Sequence, residues 1–124
     1  MKIVAQINFR YHVPTVIYLE MCHQVAAAMS EVDGLLWKIW LLNEAEQKGG
    51  GIYLFEDRAK AEAYVQGPLV QPLFANPDIS DMTVTFSETS EELSMVTRAP
   101  LQMMVPLQPR IAGMAANMPY FMWT

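Results

Sequence analysis

The chain is short of charge. Asp, Glu, Lys and Arg make up 17% of its 124 residues, where roughly 25% is usual for a soluble domain. A surface so thinly charged points to area covered by a second subunit, and we expect a homodimer. The eight basic residues are scattered singly against thirteen acidic ones, for a net charge of −5. No basic run exists, which excludes the clustered cationic face that nucleic-acid binding requires. A lone cysteine, Cys22, excludes an internal disulfide and fits a reducing compartment. No apolar stretch reaches about 18 residues without a charge or a proline, so no membrane-spanning helix is expected. The opening MKIVAQINFRYH places Gln6, Asn8 and Arg10 where a signal peptide needs a continuous apolar core, and a cytoplasmic location is the expectation. Metal-ligand spacing is missing too. His12, His23 and Cys22 form neither an i, i+4 pair nor C-x-x-C. There is no G-x-S-x-G, and Gly49-Gly50-Gly51 precedes a strand rather than a helix, which opposes a phosphate-binding role. We assign those glycines to turn and bulge chemistry.

What is present is organised as strands and helices in alternation. Lys2–Arg10 alternates, with Ile3, Ala5, Ile7 and Phe9 on one face and Gln6, Asn8 and Arg10 on the other. Val16–Ser30 carries Ile17, Tyr18, Met21, Cys22, Val25 and Met29 at three- and four-residue spacing, an apolar helical stripe. Leu35–Leu42 and Gly51–Phe55 read as a hairpin around a polar loop. Asp57 is placed to cap a second helix, Arg58–Gln66, which stops before Gly67-Pro68. A short helical turn over Leu69–Phe74 is followed by a last strand, Asp81–Ser87, with Met82, Val84 and Phe86 facing the helices. The order is β-α-β-β-α-β, an α+β ferredoxin-like protomer with an antiparallel sheet. We set this domain at residues 1–97. Residues 98–124 hold four prolines and five methionines with two arginines, a Met/Pro-rich arm, extended or short-helical, that crosses a subunit, covers a cavity or docks a partner.

The run GLLWKIW carries one cation, Lys38, between Trp37 and Trp40. Gln6, Asn8, Thr83, Thr85 and Ser87 form the polar face, and Lys38 with Trp40 is assigned to that side. Tyr53 and Phe55 are divided between the two faces of their strand. Two such sheets paired face to face would enclose a pocket with apolar walls and a few placed polar groups.

The segments GLLWKIW and GGIYLFED, set in the β-α-β-β-α-β order, resemble the ydhR-type mono-oxygenase family of the dimeric α+β barrel superfamily over about residues 2–97. The resemblance implies a homodimer whose sheets close into a barrel and a pocket between sheet and helices. It also implies oxidation of a small aromatic or polycyclic, quinol-type substrate by molecular oxygen without metal or flavin, so no cofactor is expected. The arm beyond residue 97 departs from that pattern.

On this basis Lys38, Asn8 and His12 are the catalytic candidates. Lys38 and Asn8 would hold an oxyanion, and His12, past the end of strand one, has the titration range of a general base. Gln6, Trp40, Tyr53, Phe55 and Thr85 are the substrate-binding candidates, with Trp40 stacking on a ring. Each has a plainer alternative: an ion pair for Lys38, packing for Trp40, backbone satisfaction for Gln6 and Asn8, solvent exposure for His12. The competing function is a non-catalytic dimer that binds an apolar small molecule or a protein partner. Haem binding on the same architecture lacks a histidine on helix two to serve as axial ligand.

Overall fold

The computed structural model describes residues 1–101. Its elements follow the order β1 (Ile3–Tyr11), α1 (Thr15–Ser30), β2 (Leu35–Asn43), β3 (Lys48–Phe55), α2 (Arg58–Val65), α3 (Gln71–Ala75), β4 (Ile79–Glu88) and α4 (Glu91–Val96). The first seven lie in one compact unit, Met1–Ser90, and α4 opens a second. The Met/Pro-rich arm expected over 98–124 lies, from residue 102 onward, outside the described residues.

The strands form one antiparallel sheet in the order β2-β3-β1-β4. The β2–β3 hairpin therefore sits on one side of β1, and the α2–α3 passage carries the chain to the other. Local chemistry accounts for the boundaries. Asp57 has extended backbone angles, and its Oδ1 accepts from the Lys60 amide at 2.9 Å, which satisfies one of the donors exposed at the start of α2. Pro14 precedes α1, and its carbonyl accepts from the amides of Ile17 and Tyr18. Proline suits that place because it loses no helical hydrogen bond there.

Alternation along β1 decides where the core lies. Ile3, Ala5, Ile7 and Phe9 are buried under the helices with Tyr53 and Phe55, and Val84 and Phe86 pack on the same cluster. From the helical side come Tyr18, Met29, Ala61, Tyr64 and Val65. The Tyr11 and Tyr18 rings stack with centroids 4.3 Å apart, and Phe9 meets Tyr18 edge-on at 5.9 Å. Burial of about 25 cal/mol per Å² of apolar surface makes this layer the main source of stability.

Two expectations need correction. Gly49, Gly50 and Gly51 are not turn residues: all three lie within β3, paired with Phe9, Asn8 and Ile7 on one side and with Leu42, Leu41 and Trp40 on the other. Tyr53 and Phe55 do not divide between faces. Two residues apart on one strand, they share the helical face, opposite Ala5 and Ile3.

Candidate functional site

The register settles which side chains can meet. Lys38, Tyr53, Ala5 and Phe86 are aligned across all four strands, and the next helix-facing row is Trp40, Gly51, Ile7 and Val84. The row between them, Ile39, Ile52, Gln6 and Thr85, faces the other way, as does the row Leu41, Gly50, Asn8 and Thr83. Lys38 and Trp40 therefore point beneath the helices, not toward Gln6, Asn8 and Thr85 as the polarity argument expects. A one-residue change of register turns every side chain of a strand over, and β2 contains such an irregularity between Leu35 and Trp37.

Under the helices the two side chains enter a cavity of about 120 Å³. Its floor is Ile7, Phe9, Gly50 and Tyr53, its α1 wall Tyr18, Met21, Cys22, Val25 and Met29, and its far side Tyr64 with Leu69, Val70, Leu73 and Ile79. An apolar cavity of about 150 Å³ admits benzene, so this space suits one ring, with further bulk at the mouth. Trp40, 40% exposed, marks that mouth.

Lys38 is the one cation among the described residues of the cavity lining. Its Nζ lies 3.3 Å from the centroid of the Trp40 ring and 4.7 Å from that of Tyr53. No carboxylate pairs with it among the described residues. Two aromatic faces stabilise the cation only partly, and burial pushes its pKa down from 10.5 to about 8, with Cys22 acting weakly the other way. Burial also drives the phenols upward. Tyr18 is raised by desolvation and by its hydrogen bond to Cys22, and Tyr53 by desolvation and by the neighbouring Tyr64. Tyr64 donates toward Tyr53 Oη and Met29 Sδ, both at 3.3 Å, and burial raises it as well. The cavity thus holds neutral phenols, a thiol and one readily deprotonated amine.

The glycine triplet makes the room. A Cβ on Gly49 would fall 2.2 Å from Tyr18 Oη, and one on Gly51 would fall 2.6 Å from Lys38 Cε. Gly50, at φ +137°, would place a Cβ 1.9 Å from the Ile7 carbonyl oxygen, an approach only glycine permits.

The sequence candidates separate accordingly. Lys38, Trp40 and Tyr53 line the cavity. Phe55 shares their face but is fully buried core, outside the lining. Gln6 and Asn8 hydrogen-bond to each other at 3.4 Å on the opposite face, and Thr85 stands beside Gln6 there. His12 is exposed beyond the end of β1, with Nε2 2.6 Å from Ser80 Oγ, and does not reach the cavity. Sequence reasoning did not single out Tyr18, Cys22, Met29 and Tyr64 as site residues. The α1 stripe contained the signal, since a tyrosine and a cysteine among core positions add polar atoms that a plain core omits. Among the described residues no group of three His, Cys, Asp or Glu could hold a metal ion, and no helix is long and apolar enough to cross a membrane.

Solved structures with this fold include SnoaB, a cofactor-independent oxygenase from Streptomyces nogalater. It is 13% identical, aligned over 73% of this chain and 94% of that one with a TM-score of 0.58. A putative antibiotic biosynthesis monooxygenase from Deinococcus radiodurans is 14% identical over 73% and 94%, with a TM-score of 0.58. NE2512 from Nitrosomonas europaea, a protein of unknown function, is 16% identical over 73% and 91%, at 0.59. At these identities the likeness establishes a monooxygenase-like fold. No curated protein matches the sequence. The family model described as "Putative mono-oxygenase ydhR" matches residues 4–100, and the chain belongs to that family.

Proposed function

We propose that the chain is a cofactor-independent mono-oxygenase that oxidises a small aromatic, quinol-type substrate in the cavity between sheet and helices. One observation carries this reading: a single amine, unpaired with any carboxylate among the described residues, held between the faces of Trp40 and Tyr53 inside an apolar space. A hydroxylated ring placed there stacks on Trp40 and gives its phenolic proton to Lys38 Nζ, leaving an ammonium beside the oxyanion. The electron-rich anion passes an electron to molecular oxygen, and the radical pair combines at a ring carbon bearing hydrogen. Loss of water from the hydroperoxide leaves one oxygen atom on that carbon as a quinone carbonyl. The second oxygen departs as water with two hydrogens of the substrate. The apolar side chains of Met21 and Leu73 strengthen the attraction between ammonium and oxyanion.

Lys38, Trp40 and Tyr53 carry the roles in this reading, with Tyr18 and Tyr64 as neutral donors. Asn8, Gln6 and Thr85, on the other face, serve assembly instead. That face combines them with Ile39, 50% exposed, and with Leu41 and Ile52. A homodimer closed through it accounts for the low surface charge. Light scattering coupled to gel filtration tests this, and a monomer at micromolar concentration would rule it out.

Oxygen uptake with 1,4-dihydroxynaphthalene, measured over autoxidation in the presence of a chelator, tests the enzyme. The wild-type chain accelerates uptake and incorporates one labelled oxygen atom from dioxygen, and Lys38→Met abolishes the acceleration. Uptake equal to the protein-free rate would sink the proposal. The second reading is a non-catalytic module that binds the same ligand: among the described residues the cavity lining holds no carboxylate or imidazole, and saturable binding without uptake would establish it.

A further inference from the structure

The chain has four lysines. Lys48 Nζ lies 2.9 Å from Glu46 Oε1, and Lys60 pairs with Asp33. Lys38 lines the cavity, and Gly51 leaves space for its stem. Among the described residues the ionisable groups around it are Tyr18 and Cys22 from α1, Tyr53 from β3 and Tyr64 from α2. Leu69, Val70, Leu73 and Ile79 close the remaining side without a charge. An amine in such surroundings is a nucleophile as well as a cation, because no carboxylate among the described residues holds its proton and the ring faces stabilise the ammonium only partly.

We propose that Lys38 is a carbonyl-capturing residue: the cavity takes a one- or two-ring aromatic aldehyde, and Nζ condenses with it to a reversible imine. The lone pair of Nζ forms the N–C bond as the carbonyl π electrons move to oxygen, which takes up a proton. The carbinolamine then loses its hydroxyl with a proton from nitrogen as water, and C=N remains. No oxidant enters, so the reaction stands apart from the oxygenase reading. Trp40 and Tyr53 supply the stacking faces that favour an aromatic aldehyde. The apolar lining keeps water from reversing the condensation.

With a pKa near 8, about a quarter of Lys38 is free amine at pH 7.5, against about one in a thousand of an ordinary lysine. The lower basicity costs about tenfold in reactivity if amines follow a Brønsted slope near 0.4–0.5, which leaves an advantage on the order of tenfold.

The test is reductive trapping of the full chain at pH 7.5 under argon, with 2-naphthaldehyde and cyanoborohydride, followed by peptide mapping that separates Lys38 from the Met1 amine. The expected result is labelling of Lys38 at least about tenfold faster than Lys48 or Lys60, at a rate that rises with pH to a midpoint near 8. Without reductant, imine absorbance should form in the wild type and not in Lys38→Arg, which keeps the charge. Trp40→Leu should lower the rate of labelling by the aromatic aldehyde relative to labelling by butanal. Equal labelling of the three lysines would overturn the proposal. So would an equal effect of Trp40→Leu on both aldehydes.

Discussion

Replacing Lys38 with methionine should make the protein more stable at neutral pH. The drop of its pKa from 10.5 to about 8 corresponds, at about 1.4 kcal/mol per tenfold, to about 3 kcal/mol spent holding the charged form in the cavity. The side chain is half-buried, so solvent screening reduces this to about 1–2 kcal/mol. Methionine keeps the stem's volume, and its sulfur packs well against aromatic rings. Below pH 8 the lysine is protonated in both folded and unfolded chains, and the whole penalty is present. Between pH 8 and 10.5 the unfolded chain binds more protons than the folded one, so wild-type stability recovers through that window. The advantage of Lys38→Met is therefore greatest at pH 7 and falls away by pH 10.5. Urea denaturation of both proteins at pH 7 and pH 10, followed by far-ultraviolet circular dichroism, measures it. Comparison at equal pH cancels the titration of the buried tyrosines. A variant less stable than wild type at pH 7, or a difference that does not change with pH, would refute the reasoning and indicate a structural ion pair.

Other outcomes follow from the same geometry. Gly50→Ala should cost the most of the three glycine substitutions, at least about 3 kcal/mol, because the new Cβ meets the Ile7 carbonyl oxygen at a strained φ. Gly51→Ala should cost about 1–2 kcal/mol, since the Lys38 stem can shift, and should weaken ligand binding by narrowing the cavity; urea midpoints rank the variants. Asp57→Ala removes the α2 cap and should lower stability by about 1 kcal/mol with no effect on ligand affinity. Because the Lys38 ammonium sits on the Trp40 ring, indole emission should change with a midpoint near pH 8, and Lys38→Met should abolish that titration.

Most of the fold was legible in the sequence because it rests on local signals. The alternation of Ile3, Ala5, Ile7 and Phe9 placed the core face of β1, and Met82, Val84 and Phe86 placed that of β4. Asp57 announced α2, and Gly67-Pro68 its end. The helix α4, Glu91–Val96, was not anticipated, since six residues give too little periodicity to read. The site was legible in its parts and misread in its assembly. GLLWKIW identified Lys38 and Trp40, and pairing polar with polar then sent them to the face of Gln6 and Asn8.

That error marks the division between the two levels. Composition and patterning determined an antiparallel α+β domain and an unusual cation among tryptophans, and assigned the glycine triplet to turn and bulge chemistry. That Lys38 turns under the helices was settled by strand pairing in the folded chain, because a strand apolar on both faces gives no alternation to fix its side. The pairing with β3 fixes it instead. The same pairing puts Gly50 in the cavity floor and sets Gly49 and Gly51 where the Tyr18 hydroxyl and the Lys38 stem need space.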